Sequence, residues 1–340
     1  MCIVMGYQLT ARENFVETMK GGKPERFVKQ FEAFGILFTA AYRDRNFPKR
    51  GEVDKLTNWG VTVSWASDQP GAFPVHTPAK IVCKDIEEWR EYVKAPSLKF
   101  SEAEWEKDIE AMERIDRRSQ WVMPFVAPGI FEQCHYLAEI QNTLAAFYEC
   151  PDALKEMIKY ITEWELELAE VTCDHLHPDG LFHHDDWGTH ISTFLAPEMF
   201  AEFFLDAYKE VYGYWRSRGV ELVVHHCDAY AQTLVPYMVE MGVDVWQGAV
   251  TTNDIPAIIS EHGDRITVMG GIDSASVDYE GWTKETIDAQ VRRACDWCGP
   301  YHFVPGASQG LGVSTFPGVY DCIQESIDAY SKVYWAEHGL

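Results

Sequence analysis

The run Val223-Val224-His225-His226-Cys227-Asp228 sets two imidazoles, a thiol and a carboxylate at the end of an apolar stretch. Residues two apart on an extended chain point the same way, so His225 and Cys227 could hold one metal ion between them. His226 then points to the other face and reads as structural. A second polar strand end, His183-His184-Asp185-Asp186-Trp187, lies upstream, and Glu132 stands near Cys134 and His135 after another apolar run. Carboxyls and imidazoles gathered at one place can do acid–base work, so His184, Asp186 and Glu132 are the candidate catalytic residues. His183, Trp187, Gln247, Asp273 and Gln309, all at expected strand ends, are the candidate substrate-binding residues. The metal candidates are His225 and Cys227.

These residues need a scaffold that presents strand ends to one place. Strands are expected within 27–42 and at 121–126, 180–182, 221–224, 243–246, 266–269 and 302–304. Between them the apolar periodicity is helical. Thr10 with Glu13 reads as a capping box opening a helix that stops at Gly21-Gly22. Pro151 sits where a helix begins, with periodicity continuing to Cys173. Strands joined by helices make a parallel sheet, and the unit count predicts an α/β fold of the TIM (β/α)8 barrel type. In such barrels chemistry gathers at the carboxyl ends of the strands, where the polar residues lie here. No glycine-rich phosphate fingerprint follows an early strand, which disfavours a doubly wound sheet. Residues 43–85 show no clear periodicity and read as an excursion over the barrel mouth. We therefore expect one domain over 1–340, with N-terminal helices and a lid-like segment at 10–119 and regular units at 120–340.

Composition limits the partners. The chain has 340 residues, 46% hydrophobic and 14% aromatic, and a net charge of -24. That charge argues against nucleic acid and anionic membrane surfaces. No apolar run reaches the length of a membrane span. Nine scattered cysteines form no disulfide framework and suit a reducing cytoplasm. Cys295-x-x-Cys298 falls at a helix end without a second pair, and is read as structural. A homo-oligomer is compatible with all of this.

The chain resembles the uroporphyrinogen decarboxylase superfamily, which includes cobalamin-dependent methyltransferases. The resemblance rests on Thr10-Ala-Arg-Glu-Asn-Phe15 with Gly21-Gly-Lys-Pro-Glu-Arg26, Asp185-Asp-Trp-Gly188, Val224-His-His-Cys-Asp228, Met269-Gly-Gly-Ile-Asp273 and Val304-Pro-Gly306. It implies a TIM barrel. True decarboxylases carry an arginine-rich segment after the first strand, to clamp substrate carboxylates. Here Phe31-Glu-Ala-Phe-Gly35 has no arginine, and the nearest basic pair is Arg43 and Arg45. The methyltransferase branch carries His-x-Cys after one strand, matching His225 and Cys227, and a further Cys after the last. Ala307 stands at that last position, so a third ligand would come from Asp186, His184 or Glu132, or weakly from Ser308 or Gln309, or else no metal is held and the cluster does acid–base work.

The resemblance thus implies methyl transfer from a small methylated substrate to the cobalt of a corrinoid (cobalamin) carried by a partner protein. Zinc would assist as a Lewis acid, and an aryl methyl ether is the guessed donor, as for an O-demethylase. A metal-independent decarboxylase or lyase of the same superfamily, or a non-catalytic ligand-binding barrel, are the alternatives.

Overall fold

The computed structural model describes residues 7–43, 46–69 and 71–340. The apolar start at 1–6 and Arg45 lie outside the described residues. In chain order the strands are β1 (Phe34–Leu37), β2 (Lys55–Leu56), β3 (Thr62–Ser64), β4 (Phe73–Pro74) and β5 (Trp121–Val126). They continue with β6 (Gly180–His184), β7 (Leu222–His226), β8 (Val245–Ala249), β9 (Thr267–Ile272) and β10 (Phe303–Ala307). Seven form one parallel sheet in the order β1-β5-β6-β7-β8-β9-β10. From β5 onward each strand is followed by helix, as parallel pairing requires.

The sheet curls. Phe34 of β1, Phe125, Phe182, Val224, Val245, Met269 and Val304 of β10 belong to one buried cluster on one face. Laid flat, six strand spacings would put the two edges about 29 Å apart. Val223, Trp246, Val268 and Phe303 point the other way, into the layer packed against the helices. Both faces are therefore apolar, and alternation alone does not tell inside from outside.

The expected closed eightfold barrel is corrected to seven strands among the described residues, with β10 and β1 not paired to each other. At the open edge of β10 a side chain takes the place of a strand. Buried Gln30 donates from Nε2 to the Ala307 carbonyl at 2.7 Å and accepts the Ala307 N–H at Oε1 at 3.0 Å. The carboxamide thus satisfies both backbone groups that an eighth strand would have satisfied.

Several local expectations hold. Helix Ala11–Met19 begins with the Thr10/Glu13 capping box. Pro151 opens the long helix Pro151–Leu176. The segment read as irregular holds the three-stranded antiparallel sheet β2-β3-β4. It is tied down by Arg50 on the Thr315 carbonyl (2.9 Å) and by Trp59 edge-on to Trp164. The helix expected from Pro197 is interrupted by a π-helical turn at Ala201–Leu205 before continuing as Asp206–Ser217. Among the described residues no helix is long and apolar enough to cross a membrane, and the eight cysteines are free thiols.

Replacing Gln30 by leucine leaves the Ala307 N–H and carbonyl buried and unpaired, each at a cost of about 1–3 kcal/mol. We expect the urea midpoint to fall with an unchanged slope. An unchanged midpoint would show that the edge of β10 finds other partners.

Candidate functional site

The strands run two or three residues further than their apolar cores, so the polar residues sit on the strands themselves. Register then decides which of them meet. His183 pairs with His225, His184 with His226, and His226 with Gln247. His184, His226 and Gln247 thus line up across three adjacent strands on the face of Phe182 and Val224. The His184 and His226 rings stack with centroids 4.2 Å apart.

Among the described residues one group of metal-ligating type converges: His184, Asp186 and His226, one ligand atom from each lying within 4.8 Å of the others. The outer side of each ring is already engaged. His184 Nδ1 meets Glu132 Oε2 at 3.0 Å, and His226 Nδ1 donates to Gln247 Oε1. A carboxylate or amide oxygen on Nδ1 fixes the tautomer and leaves the Nε2 lone pair for a ligand. His226 Nε2 lies 3.7 Å from Asp186 Oδ1. A Cβ at Gly310 would sit 3.1 Å from both imidazoles, so the chain after β10 packs closely over the pair. Two imidazoles and one carboxylate form a set that holds zinc or another first-row metal while leaving positions open.

Glu132 is aimed by its helix, Ile130–Ala138. The N-cap is Gly129, which has no side chain to satisfy the first N–H groups. Asp185 does it from just past the end of β6. Its carboxylate accepts the N–H groups of Phe131 and Glu132, both at 2.8 Å, and the Tyr208 hydroxyl. A Cβ at Gly129 would lie 2.5 Å from His183 and 2.6 Å from Asp185, so this approach also requires glycine.

Electrostatics divides the two stacked histidines. Burial, the largest effect on His184, opposes protonation. The Glu132, Asp186 and Asp228 carboxylates outweigh it and push His184 up to about 10. Burial and then the charge of His184 push His226 down to about 4. Burial also raises Glu132 above the usual carboxyl range, against the pull of His184. In the metal-free protein at neutral pH, His184 carries a proton and His226 does not.

The structure places the metal pair read from the sequence, His225 and Cys227, away from this group. His225 faces the helices, fully buried beneath Trp187, with ring centroids 3.9 Å apart. Its Nδ1 meets the Tyr212 hydroxyl at 2.8 Å and its Nε2 the Asp185 carbonyl at 3.1 Å, so neither nitrogen is left for a metal. Cys227 is buried and takes the Trp187 N–H on sulfur at 3.4 Å, and burial pushes its thiol well up. Ala307 lies in the same apolar layer and adds no thiolate.

The substrate candidates separate in the same way. His183 and Trp187 are buried on the outer side, His183 between Glu165 (3.0 Å) and Tyr212 (3.2 Å). Gln247 supports His226 and donates to the Gln309 carbonyl. Asp273 is held by His190 at 2.8 Å and by Thr251 at 3.1 Å. Gln309 accepts from Ser274 at Oε1, and its buried Nε2 has no partner among the described residues. His226, read as structural, belongs to the convergent group instead. The repeated His-His pair was the available signal, because equal offsets on neighbouring parallel strands bring like positions together.

A family model, uroporphyrinogen decarboxylase (URO-D), matches residues 59–330. The chain belongs to this family. Among solved structures, a methyltransferase from Methanosarcina mazei is similar with a TM-score of 0.63 and 13% identity, covering 95% of this chain and 99% of that one. At that identity the likeness is one of fold. A GH18 chitinase from Pseudoalteromonas aurantia aligns over 68% of this chain and 83% of its own, at 11% identity and a TM-score of 0.35, too low to argue from. No curated protein matches. In this family member the polar residues sit at the carboxyl ends of β6, β7 and β8, and the convergent group bridges β6 and β7.

The Glu132–His184 pair makes a testable difference. In chelator-treated protein, NMR should show the His184 ring protonated up to about pH 10, and Glu132→Gln should bring its titration down. Stability contributed by this histidine should be complete below about pH 6.5 and lost as pH rises through about 10. Titration near 6.5 in both proteins would refute the pairing.

Proposed function

We propose that the chain is a methyltransferase that moves a methyl group from a small methylated substrate to the cobalt of a corrinoid held by a partner protein. The donor we favour is an aryl methyl ether, and the site is a zinc centre at His184, Asp186 and His226. The observation carrying this reading is the convergence of those three side chains, with each imidazole braced at Nδ1. The fold shared with a methyltransferase and the membership of the URO-D family support it.

A methyl group on oxygen is a poor electrophile because its leaving group is an alkoxide or phenoxide, which must be protonated or bound to a Lewis acid as the bond breaks. A zinc ion at this site supplies the Lewis acid, and the reduced corrinoid supplies the nucleophile. The chain's own residues position and hold protons. Glu132 orients His184 and takes up the charge of its ring. Gln247 keeps His226 in the tautomer with a free Nε2. Asp186 is itself placed by the Asp228 N–H at 2.9 Å. We place the reaction in the cytoplasm, where free thiols persist.

A second reading has an observation of its own. With His184 pushed up to about 10, the ring is an imidazolium at neutral pH and serves as a general acid without metal, as a decarboxylase or lyase would need.

Metal content separates the two. By mass spectrometry we expect about one zinc per chain in wild type, lost in His184→Ala and His226→Ala and retained in Cys227→Ala. Binding should release the His184 proton, so apparent zinc affinity should rise about tenfold per pH unit between pH 7 and 9. Zinc lost in Cys227→Ala and kept in His226→Ala would return the site to the outer pair. Zinc absent from wild type after supplementation would leave the acid–base reading. With zinc present, release of the phenol from methoxylated aromatics in the presence of reduced cobalamin tests the methyl donor.

A further inference from the structure

The inward-facing side chains of β1 end in the open. Phe34 is buried, Ile36 is half-buried, and Phe38, the next residue on that side, is 39% exposed. Phe38 is not a stray surface ring. Its centroid lies 5.0 Å from that of Tyr42 and 5.4 Å from that of Phe125, and Tyr42 stands edge-on to Phe125 at 5.0 Å. The three rings form one wall. Phe125 in turn presents its ring to His184, with centroids 6.2 Å apart. The wall thus leads from the exposed end of β1 to the group of His184, Asp186 and His226.

The turn that carries two of these rings is held by a buried carboxylate. Asp108, on the helix Glu102–Glu113, accepts the Ala40 N–H at 2.7 Å and binds the Arg43 guanidinium. Arg43 also donates to the Phe38 carbonyl at 2.6 Å. The backbone is therefore fixed on both sides of Phe38, and Tyr42 is carried on the same short helix as Ala40 and Arg43. Rings already held in place bind a ligand without a further ordering cost. Arg43, one of the basic pair nearest the first strand, is engaged in holding this turn.

We propose that Phe38, Tyr42 and Phe125 form the subsite for the flat ring of an arene, and that Phe38 sets the preference for it. The inference rests on the methyl-transfer reading in one respect only: there, the bound ring is that of the methyl donor. Aromatic rings favour offset or edge-on neighbours with centroids about 4.5–7 Å apart, beyond what burial of area alone gives. An arene joining this cluster meets that geometry. An aliphatic ring of the same bulk covers a similar area and lacks the interaction. Phe125 is 5% exposed and Tyr42 half-buried, so Phe38 offers the largest open share of the wall. A ring resting there lies beside His184, and a methoxy group on it can point to the centre.

The test titrates the full-length isotope-labelled protein with anisole and with cyclohexyl methyl ether, which has similar bulk and no aromatic face. Binding is followed at the His184 ring by NMR. In wild type we expect saturable shifts and an affinity about fivefold higher for anisole, the worth of one aromatic pair. In Phe38→Leu, with the rest of the spectrum retained, that ratio should fall to about one, and in Phe38→Tyr it should stay near five. A merely structural role would weaken both ethers together and leave the ratio alone. No saturable binding of anisole, no preference for it in wild type, or an unchanged ratio in Phe38→Leu would overturn the proposal. So would a raised KM for reduced cobalamin in Phe38→Leu with the ratio intact, since the wall would then face the corrin ring. Turnover separates this inference from the reading it rests on. Anisole bound with the expected ratio but releasing no phenol with reduced cobalamin would keep the subsite and remove methyl transfer from this ether. Phenol released with equal kcat/KM by wild type and Phe38→Leu would keep methyl transfer and remove the subsite.

Discussion

The site depends on one buried carboxylate. Asp185 sits just past β6, and three structural elements meet on it. Its N–H donates to the His226 carbonyl, extending the pairing between β6 and β7 beyond the last strand residues. Its own carbonyl receives His225 Nε2. Its side chain closes the N-terminus of the helix Ile130–Ala138, where a negative charge is favoured by the helix dipole and by the unpaired N–H groups. Burial, and then the charge of Glu132, push this carboxyl well up, while the Tyr208 hydroxyl and the two N–H groups pull it back. Without those donors the group would be an uncompensated buried charge. With them it fixes the distance between β6 and the helix, and hence the reach of Glu132 to His184.

Each His-His pair is divided between two tasks by the strand geometry. The first histidine of each pair, His183 and His225, faces the helices and joins a buried polar chain from Glu165 through Tyr212 to the Asp185 carbonyl. The second, His184 and His226, faces the curled interior with a nitrogen to spare. The π-helical turn at Ala201–Leu205 lies immediately before Tyr208 and Tyr212, the two hydroxyls that the outer chain and Asp185 require. Outer and inner layers are thus coupled through backbone: holding His183 and His225 still holds their neighbours still.

This division also explains what was legible in the sequence. Local signals that need no partner read correctly: the Thr10 capping box, Pro151 at a helix start, the alternation of strand and helix. Period-two alternation correctly put His225 and Cys227 on one face. It could not say which face, because β7 is buried on both sides and its apolar residues give no contrast. His184 and Asp186 stood out because they lie at the end of one strand, and Glu132 because it lies in the first turn of the helix after β5. Gln30 was not, since a side chain replacing a strand's hydrogen bonds leaves no periodic trace. Nor were β2, β3 and β4, whose two or three residues each are too short for a pattern.

One proton links the site's two chemical readings. A metal needs the Nε2 lone pair of His184, and Glu132 with Asp186 raises the affinity of that ring for a proton. The same carboxylates make the ring a stronger ligand once the proton has gone, since they favour positive charge on it in either form. The centre is therefore not neutral ground between metal and acid. In the proposed metal reading, proton and metal would compete for one nitrogen, with the balance set by pH and by available metal. His226, held neutral beside a charged neighbour, is ready for the metal in both states. A site built only for acid catalysis would have no need of a second imidazole whose tautomer is fixed by Gln247, and that added constraint is the support for the proposed metal reading.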